Sequence, residues 1–95
     1  MKAKRIFYDK AVLDDGAILE MILWQLPQPI IGSRHSFKYR LFYGFHGVRI
    51  VGYDNERGKG DHRHLLGQQF AYDFSSPEQL IQDFLADVER HRGQK

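Results

Sequence analysis

The stretch from Phe37 to Tyr53 restricts the fold of this chain more than any other. Two runs, Phe37–Phe45 and Val48–Tyr53, flank His46-Gly47, and a glycine there suits the left-handed backbone of a two-residue hairpin turn. Such a turn pairs Phe45 with Val48, Tyr43 with Ile50 and Leu41 with Gly52 on a face that is apolar throughout. Side chains alternate along a strand, so the opposite face carries Lys38, Arg40 and Phe42 beside Arg49, Val51 and Tyr53. An antiparallel pair with one apolar face requires a second layer to cover it.

The rest of the chain can supply both more sheet and that layer. Ala3 to Leu13 reads as a strand with a break, closed by the turn Asp14-Asp15-Gly16, and Ala17 to Leu26 reads as a strongly apolar strand ended by Pro27 and Pro29. Pro27 to Ser36 is a loop. Gln68 to Phe74 alternates Phe70, Tyr72 and Phe74 against polar neighbours and reads as a last strand. Ser76-Pro77-Glu78-Gln79 then offers an N-cap, a proline at the first helical position and a capping-box glutamine. Leu80, Ile81, Phe84, Leu85 and Val88 form an apolar stripe at helical spacing, and Gly93 is a natural stop. The expectation is an α+β, two-layer architecture: an antiparallel β-meander of four to six strands with one C-terminal helix packed on the sheet, as a single domain over residues 1–95.

Composition agrees with that size of core. Apolar residues make up 42% of the 95 residues and aromatics 14%, enough for one core but a small one, which leaves room for homodimerisation. There is no cysteine, hence no disulfide framework and no thiolate zinc site. The opening residues MKAKRIFYDKAV lack the apolar core of a signal peptide, and no apolar run approaches the ~20 residues of a membrane span. These features describe a soluble, cytoplasmic protein without a membrane partner. Net charge is only +2, yet between Arg34 and His64 seven Lys/Arg face three Asp/Glu, with four of the five histidines. That concentration points to a polyanionic partner.

Tyr53 to His64, YDNERGKGDHRH, reads as a glycine-flexed connecting loop that holds acids, cations, paired histidines and two glycines without an aliphatic side chain. Three chemistries compete for it. His62 and His64 are two apart and can share a metal ion on an extended backbone, but Arg57, Lys59 and Arg63 repel a divalent cation and the spacing fits no zinc signature, so no metal is expected. Gly58-Lys59-Gly60 lacks the flanking pattern of a nucleotide-triphosphate loop. The third is metal-independent RNA cleavage, in which a 2′-hydroxyl attacks its own phosphodiester. That reaction needs a base, a cation over the phosphorane and an acid for the leaving oxygen. Histidine as a residue type serves as base or acid near neutrality. His62 and His64 are the natural pair, Asp61 or Glu56 can orient one imidazole, and Lys59 with Arg40 or Arg49 can hold the phosphate. Tyr53 can stack or donate a proton, and Arg57 and Arg63 add further phosphate contacts. No cofactor is required.

Four runs, LDDGAILEMILWQLP (Leu13–Pro27), FKYRLFYG (Phe37–Gly44), IVGYDNERGKGDHRH (Ile50–His64) and SPEQLIQDFLADV (Ser76–Val88), resemble the TumE-type proteins in the same order over nearly the whole chain. The resemblance implies the growth-inhibiting toxin of a type II toxin–antitoxin pair, neutralised by a helix-turn-helix antitoxin encoded beside it. It carries over Asp54, Glu56, Lys59, Asp61, His62 and His64 as the family signature rather than as proven catalysts. Joined to the chemistry above, it yields a toxin acting on RNA as an endoribonuclease. The alternative is a non-catalytic interaction protein whose basic segment binds nucleic acid or the antitoxin.

Overall fold

Six antiparallel strands lie in one sheet in sequence order, β1 Lys4–Val12, β2 Ile18–Gln25, β3 Phe37–Phe45, β4 Val48–Glu56, β5 Gly60–Leu65 and β6 Gln68–Ala71, and α1 Pro77–His91 packs across β4. This computed structural model describes residues 2–92. The helix stop expected at Gly93 lies outside the described residues. The architecture is the expected meander with a C-terminal helix. No helix among the described residues is long and apolar enough to cross a membrane.

The turn at His46-Gly47 forms as expected, with both residues at positive φ (53° and 77°), the pattern whose twist matches that of the flanking strands. The pairing beyond it differs. Phe45 faces Val48 and Gly44 faces Arg49, but the register then shifts so that Tyr43 faces Val51, Phe42 faces Gly52 and Leu41 faces Tyr53. A β-bulge absorbs one residue of β4 at Ile50, and every later side chain on that strand changes sides. Val51 and Tyr53 therefore join the buried face instead of sitting beside Arg40 and Phe42. A second shift, between Arg5 and Phe7, is the break foreseen in β1.

The larger correction concerns Tyr53–His64. This stretch is not a connector: β4 runs on to Glu56, the chain turns at Arg57-Gly58-Lys59, and β5 returns with Asp54 opposite His62 and Gly52 opposite His64. The last strand ends early, at Ala71, so that Phe74 leaves the sheet and stacks on His35 at 3.9 Å between ring centroids.

Met21, Leu23, Tyr39, Leu41, Tyr43, Val51 and Tyr53 from the sheet meet Leu80, Phe84 and Val88 from the helix in one buried cluster. Ser76 caps α1 by accepting from the Gln79 amide at 3.1 Å. Gln79 does not complete the capping box; its side chain donates forward to Asp83 at 2.8 Å. Leu85, expected in the apolar stripe, points outward, and Asp87 points inward instead.

Asp87 is fully buried and saturated with donors: Arg63 through Nε at 2.7 Å and Nη2 at 2.8 Å, Arg90, and the Tyr53 hydroxyl. Burial alone would push its carboxyl up. The bonds from Arg63, Tyr53 and Arg90 outweigh burial and hold the pKa at about 2. The same burial, with Asp87 as the acceptor, pushes the Tyr53 phenol well above its ordinary range.

Two outcomes follow. A folded pKa held below the unfolded value stabilises the protein above about pH 4, and that contribution drains away as pH falls toward 2, by roughly 2 kcal/mol. Acid titration of stability should show this loss, and Asp87→Asn should remove it while destabilising by about 3 kcal/mol at neutral pH. Tyr43 behaves oppositely: its hydroxyl is buried with no hydrogen-bond partner among the described residues. Tyr43→Phe should leave stability unchanged or raise it by about 1 kcal/mol in denaturant melts.

Candidate active site

Side chains on the sheet face opposite the helix come from alternate positions. Tyr39, Leu41, Tyr53, Asn55, Asp61 and Arg63 point toward the helix side, so Arg40, Asp54, His62 and His64 point away from it. In register, Arg40 faces Asp54 and Asp54 faces His62, which lines up residues from three adjacent strands. The bulge that displaces Val51 and Tyr53 also brings Asp54 onto this open face.

Asp54 is the hub of the cluster. Its Oδ1 lies 3.3 Å from His64 Nε2 and 3.9 Å from His62 Nδ1, and its Oδ2 lies 4.0 Å from Arg49 Nη1. Arg49 also reaches His64 Nδ1 with Nη2 at 3.1 Å. A guanidinium only donates, so Nδ1 must accept, and the proton of the neutral His64 ring sits on Nε2 facing Asp54. Both nitrogens of His64 are occupied. His62 differs, because 3.9 Å is too long for a hydrogen bond and its Nε2 has no partner among the described residues. The two rings are 6.3 Å apart, with only 15% of the His62 side chain and 12% of the His64 side chain exposed. One imidazole is clamped; the other has a free nitrogen.

Gly52 makes this arrangement possible. A Cβ at that position would fall 2.5 Å from Arg49 Cδ, so the bare backbone is what lets the Arg49 side chain cross the sheet to His64 and Asp54. Arg40 stands in register beside Asp54, with its guanidinium engaged 3.5 Å from Glu20 and 5.5 Å from the Phe42 ring centroid.

The remaining signature residues lie elsewhere. Asp61 faces the helix side, where its Oδ2 accepts from the Tyr39 hydroxyl at 2.6 Å and from His35 Nε2 at 2.8 Å. His35 Nδ1 accepts from the Phe37 amide at 3.1 Å, so that ring too has both nitrogens in use. Burial and the bond to Asp61 push the Tyr39 phenol far above its ordinary range. Lys59, Asp61 and His35 line a cavity of about 450 Å³ with Tyr72 and Phe74, closed on one side by the Pro27–Ser36 loop, whose Ile31 carbonyl accepts from the Gly58 amide at 2.8 Å. Glu56 and Lys59 form an exposed ion pair of 3.5 Å at the hairpin tip, and Arg57 is exposed there too. Tyr53 and Arg63 are bound to Asp87 beneath the helix. The structure thus gathers His62, His64, Arg40 and Arg49, and keeps Asp61, Lys59, Tyr53 and Arg63 apart from them. Among the described residues no group of three or more His, Cys, Asp or Glu side chains is disposed to hold a metal ion.

Asn55, which had no role in the sequence reading, is buried and replaces ladder bonds where β3 and β4 separate. Its side chain accepts from the Tyr39 amide at 3.0 Å and donates to the Phe37 carbonyl at 2.7 Å.

A family model described as Toxin TumE matches residues 2–92. The chain belongs to the TumE toxin family. No curated protein and no solved structure gave a significant match. Within this TumE chain the quoted signature YDNERGKGDHRH is the β4–β5 hairpin, and alternation divides it between an open face and a buried one. Membership places the chain on the toxin side of a toxin–antitoxin pair and directs attention to the open face, where charge is accessible.

Gly52→Ala should separate Arg49 from His64 without unfolding the sheet, since only a flexible side chain must move. Nitrogen-detected NMR of the histidine rings should show His64 losing its fixed tautomer, while the melting temperature moves little.

Proposed function

We propose that this chain is a growth-arresting toxin that cleaves RNA without a metal, and that a helix-turn-helix antitoxin encoded alongside neutralises it in the cytoplasm. The observation that carries the reading is His62 Nε2, an imidazole nitrogen with no hydrogen-bond partner among the described residues, next to the Asp54 carboxylate on a sheet face that also carries Arg40 and Arg49. His62 takes the proton of a ribose 2′-hydroxyl. The 2′-oxygen forms its bond to the adjacent phosphorus as the bond from phosphorus to the 5′-oxygen breaks, leaving a 2′,3′-cyclic phosphate, and water protonates the departing 5′-oxygen.

Arg49 and Arg40 take the non-bridging oxygens, where charge accumulates in the transition state. Asp54 faces His62 Nδ1 and stabilises the imidazolium that forms, as a carboxylate behind a catalytic histidine does elsewhere. His64 is a positioning residue, since it is bonded on both sides and has no nitrogen left for substrate. Lys59 and Asp61 contribute to the helix-side cavity rather than to this step.

One observation favours a second reading. The signature is split between two faces, as a docking surface would tolerate and a compact catalytic centre would not require. In that case the hairpin binds antitoxin or nucleic acid with no turnover.

Purified chain should cleave cellular RNA in the presence of EDTA. His62→Ala should reduce cleavage by about 10²- to 10⁴-fold and abolish growth arrest, and His64→Asn should reduce it less. Intact RNA after prolonged incubation with folded protein, while growth arrest persists in cells, would assign the toxin a different target.

A further inference from the structure

The open face continues well past the histidine cluster, and the continuation has a composition of its own. In register, Tyr8 of β1 faces Ile22 of β2, Ile22 faces Arg40, Arg40 faces Asp54 and Asp54 faces His62. This row crosses five strands. Beside it, Arg5 faces Trp24 and Trp24 faces Lys38. The face therefore carries Arg5, Lys10, Lys38, Arg40 and Arg49 against Glu20 and Asp54, interleaved with Tyr8, Trp24 and Phe42.

Two of these rings are paired with guanidiniums: Arg5 Cζ stands 5.3 Å from the Tyr8 centroid and Arg40 Cζ stands 5.5 Å from the Phe42 centroid. Tyr8 is 46% exposed. Trp24, the only tryptophan, is half-buried on the same side. A protein partner with an apolar face would have to desolvate these guanidiniums. A single-stranded polyanion would not, because its phosphates meet the cations while its bases lie on the rings.

We infer that the outer faces of β1 to β3 form a platform for single-stranded RNA that feeds the strand to His62, with Tyr8 and Trp24 stacking bases and Arg5 and Arg40 holding the backbone. The inference rests on the proposed ribonuclease reading for its substrate, and adds to it a binding surface that reaches β1. From β5 to β1 are four strand spacings, roughly 19 Å, which accommodates on the order of four nucleotides, the short end of the range for sheet-based single-strand binders.

Trp24 is its own reporter. The full chain should be titrated with uncleavable 2′-O-methyl oligoribonucleotides of about two and about six nucleotides. The longer one should quench Trp24 fluorescence saturably and the shorter one should not. Arg5→Ala and Tyr8→Ala, both at exposed positions, should each weaken binding of the longer oligonucleotide by about 10-fold. They should raise KM for long RNA while leaving cleavage of a dinucleotide unchanged.

Absence of quenching, or binding by both variants as tight as that of the unaltered chain, overturns the platform. So does quenching that depends on protein concentration alone, which would mark the face as a contact between copies. The two readings fail separately. RNA cleaved with no change in KM in the variants keeps the nuclease and removes the platform. Length-dependent quenching without any cleavage keeps the platform and removes the nuclease.

Discussion

The β-bulge at Ile50 decides what each later residue of β4 can do. One extra residue in that strand rotates the remainder by half a period, sending Tyr53 and Asn55 into the core and Asp54 onto the open surface. Without it, Asp54 would be buried facing the helix, and Val51 and Tyr53 would occupy the face where the histidines now meet a carboxylate. Gly52 belongs to the same device, since the space above it is where Arg49 lies. The polar cluster and the apolar core are two sides of one local irregularity.

The two faces are also coupled mechanically. Arg63 lies between His62 and His64 in sequence, and Asp87 of the helix holds it with two short hydrogen bonds from below. Asp61, on the other side of His62, is tied to Tyr39 and His35. Each outward imidazole is thus flanked along the strand by an inward residue in a buried or half-buried polar bond. Catalytic or binding geometry profits from such support because small displacements are costly. The acidic and basic residues that the sequence presents as one cluster divide the work. Asp61 and Arg63 fasten the strand, while Asp54, Glu56, Arg57 and Lys59 lie on the open face or at the hairpin tip.

The meander, the single helix and its serine cap were legible because they depend on short-range signals: alternation, turn residues and an N-cap followed by proline. The hairpin at His46-Gly47 was legible for the same reason. The bulge was not, since Ile50 suits either side of a strand and the contacts that go with the shift, Tyr53 against Phe84 at 5.8 Å between ring centroids among them, come from a helix distant in sequence. Tyr53–His64 looked like a loop because its polarity hides the period of two. Asp54, His62 and His64 in fact share a face while Asp61 and Arg63 share the other, and reading the stretch as two strands would have separated them. Asp87 was hidden within a helical stripe where a carboxylate is unexpected. Its partner Arg63 lies far away in sequence.

Every strand of the sheet pairs with its immediate predecessor in the chain, so the sheet can be built hairpin by hairpin without threading one strand between two others. Helix α1 then adds a bond from outside the meander, between Asp87 and Arg63 of β5. A nascent chain can zip its hairpins in order and still lack the acid that steadies the strand between its two histidines. Docking of α1 is therefore the step that steadies the strand carrying His62 and His64.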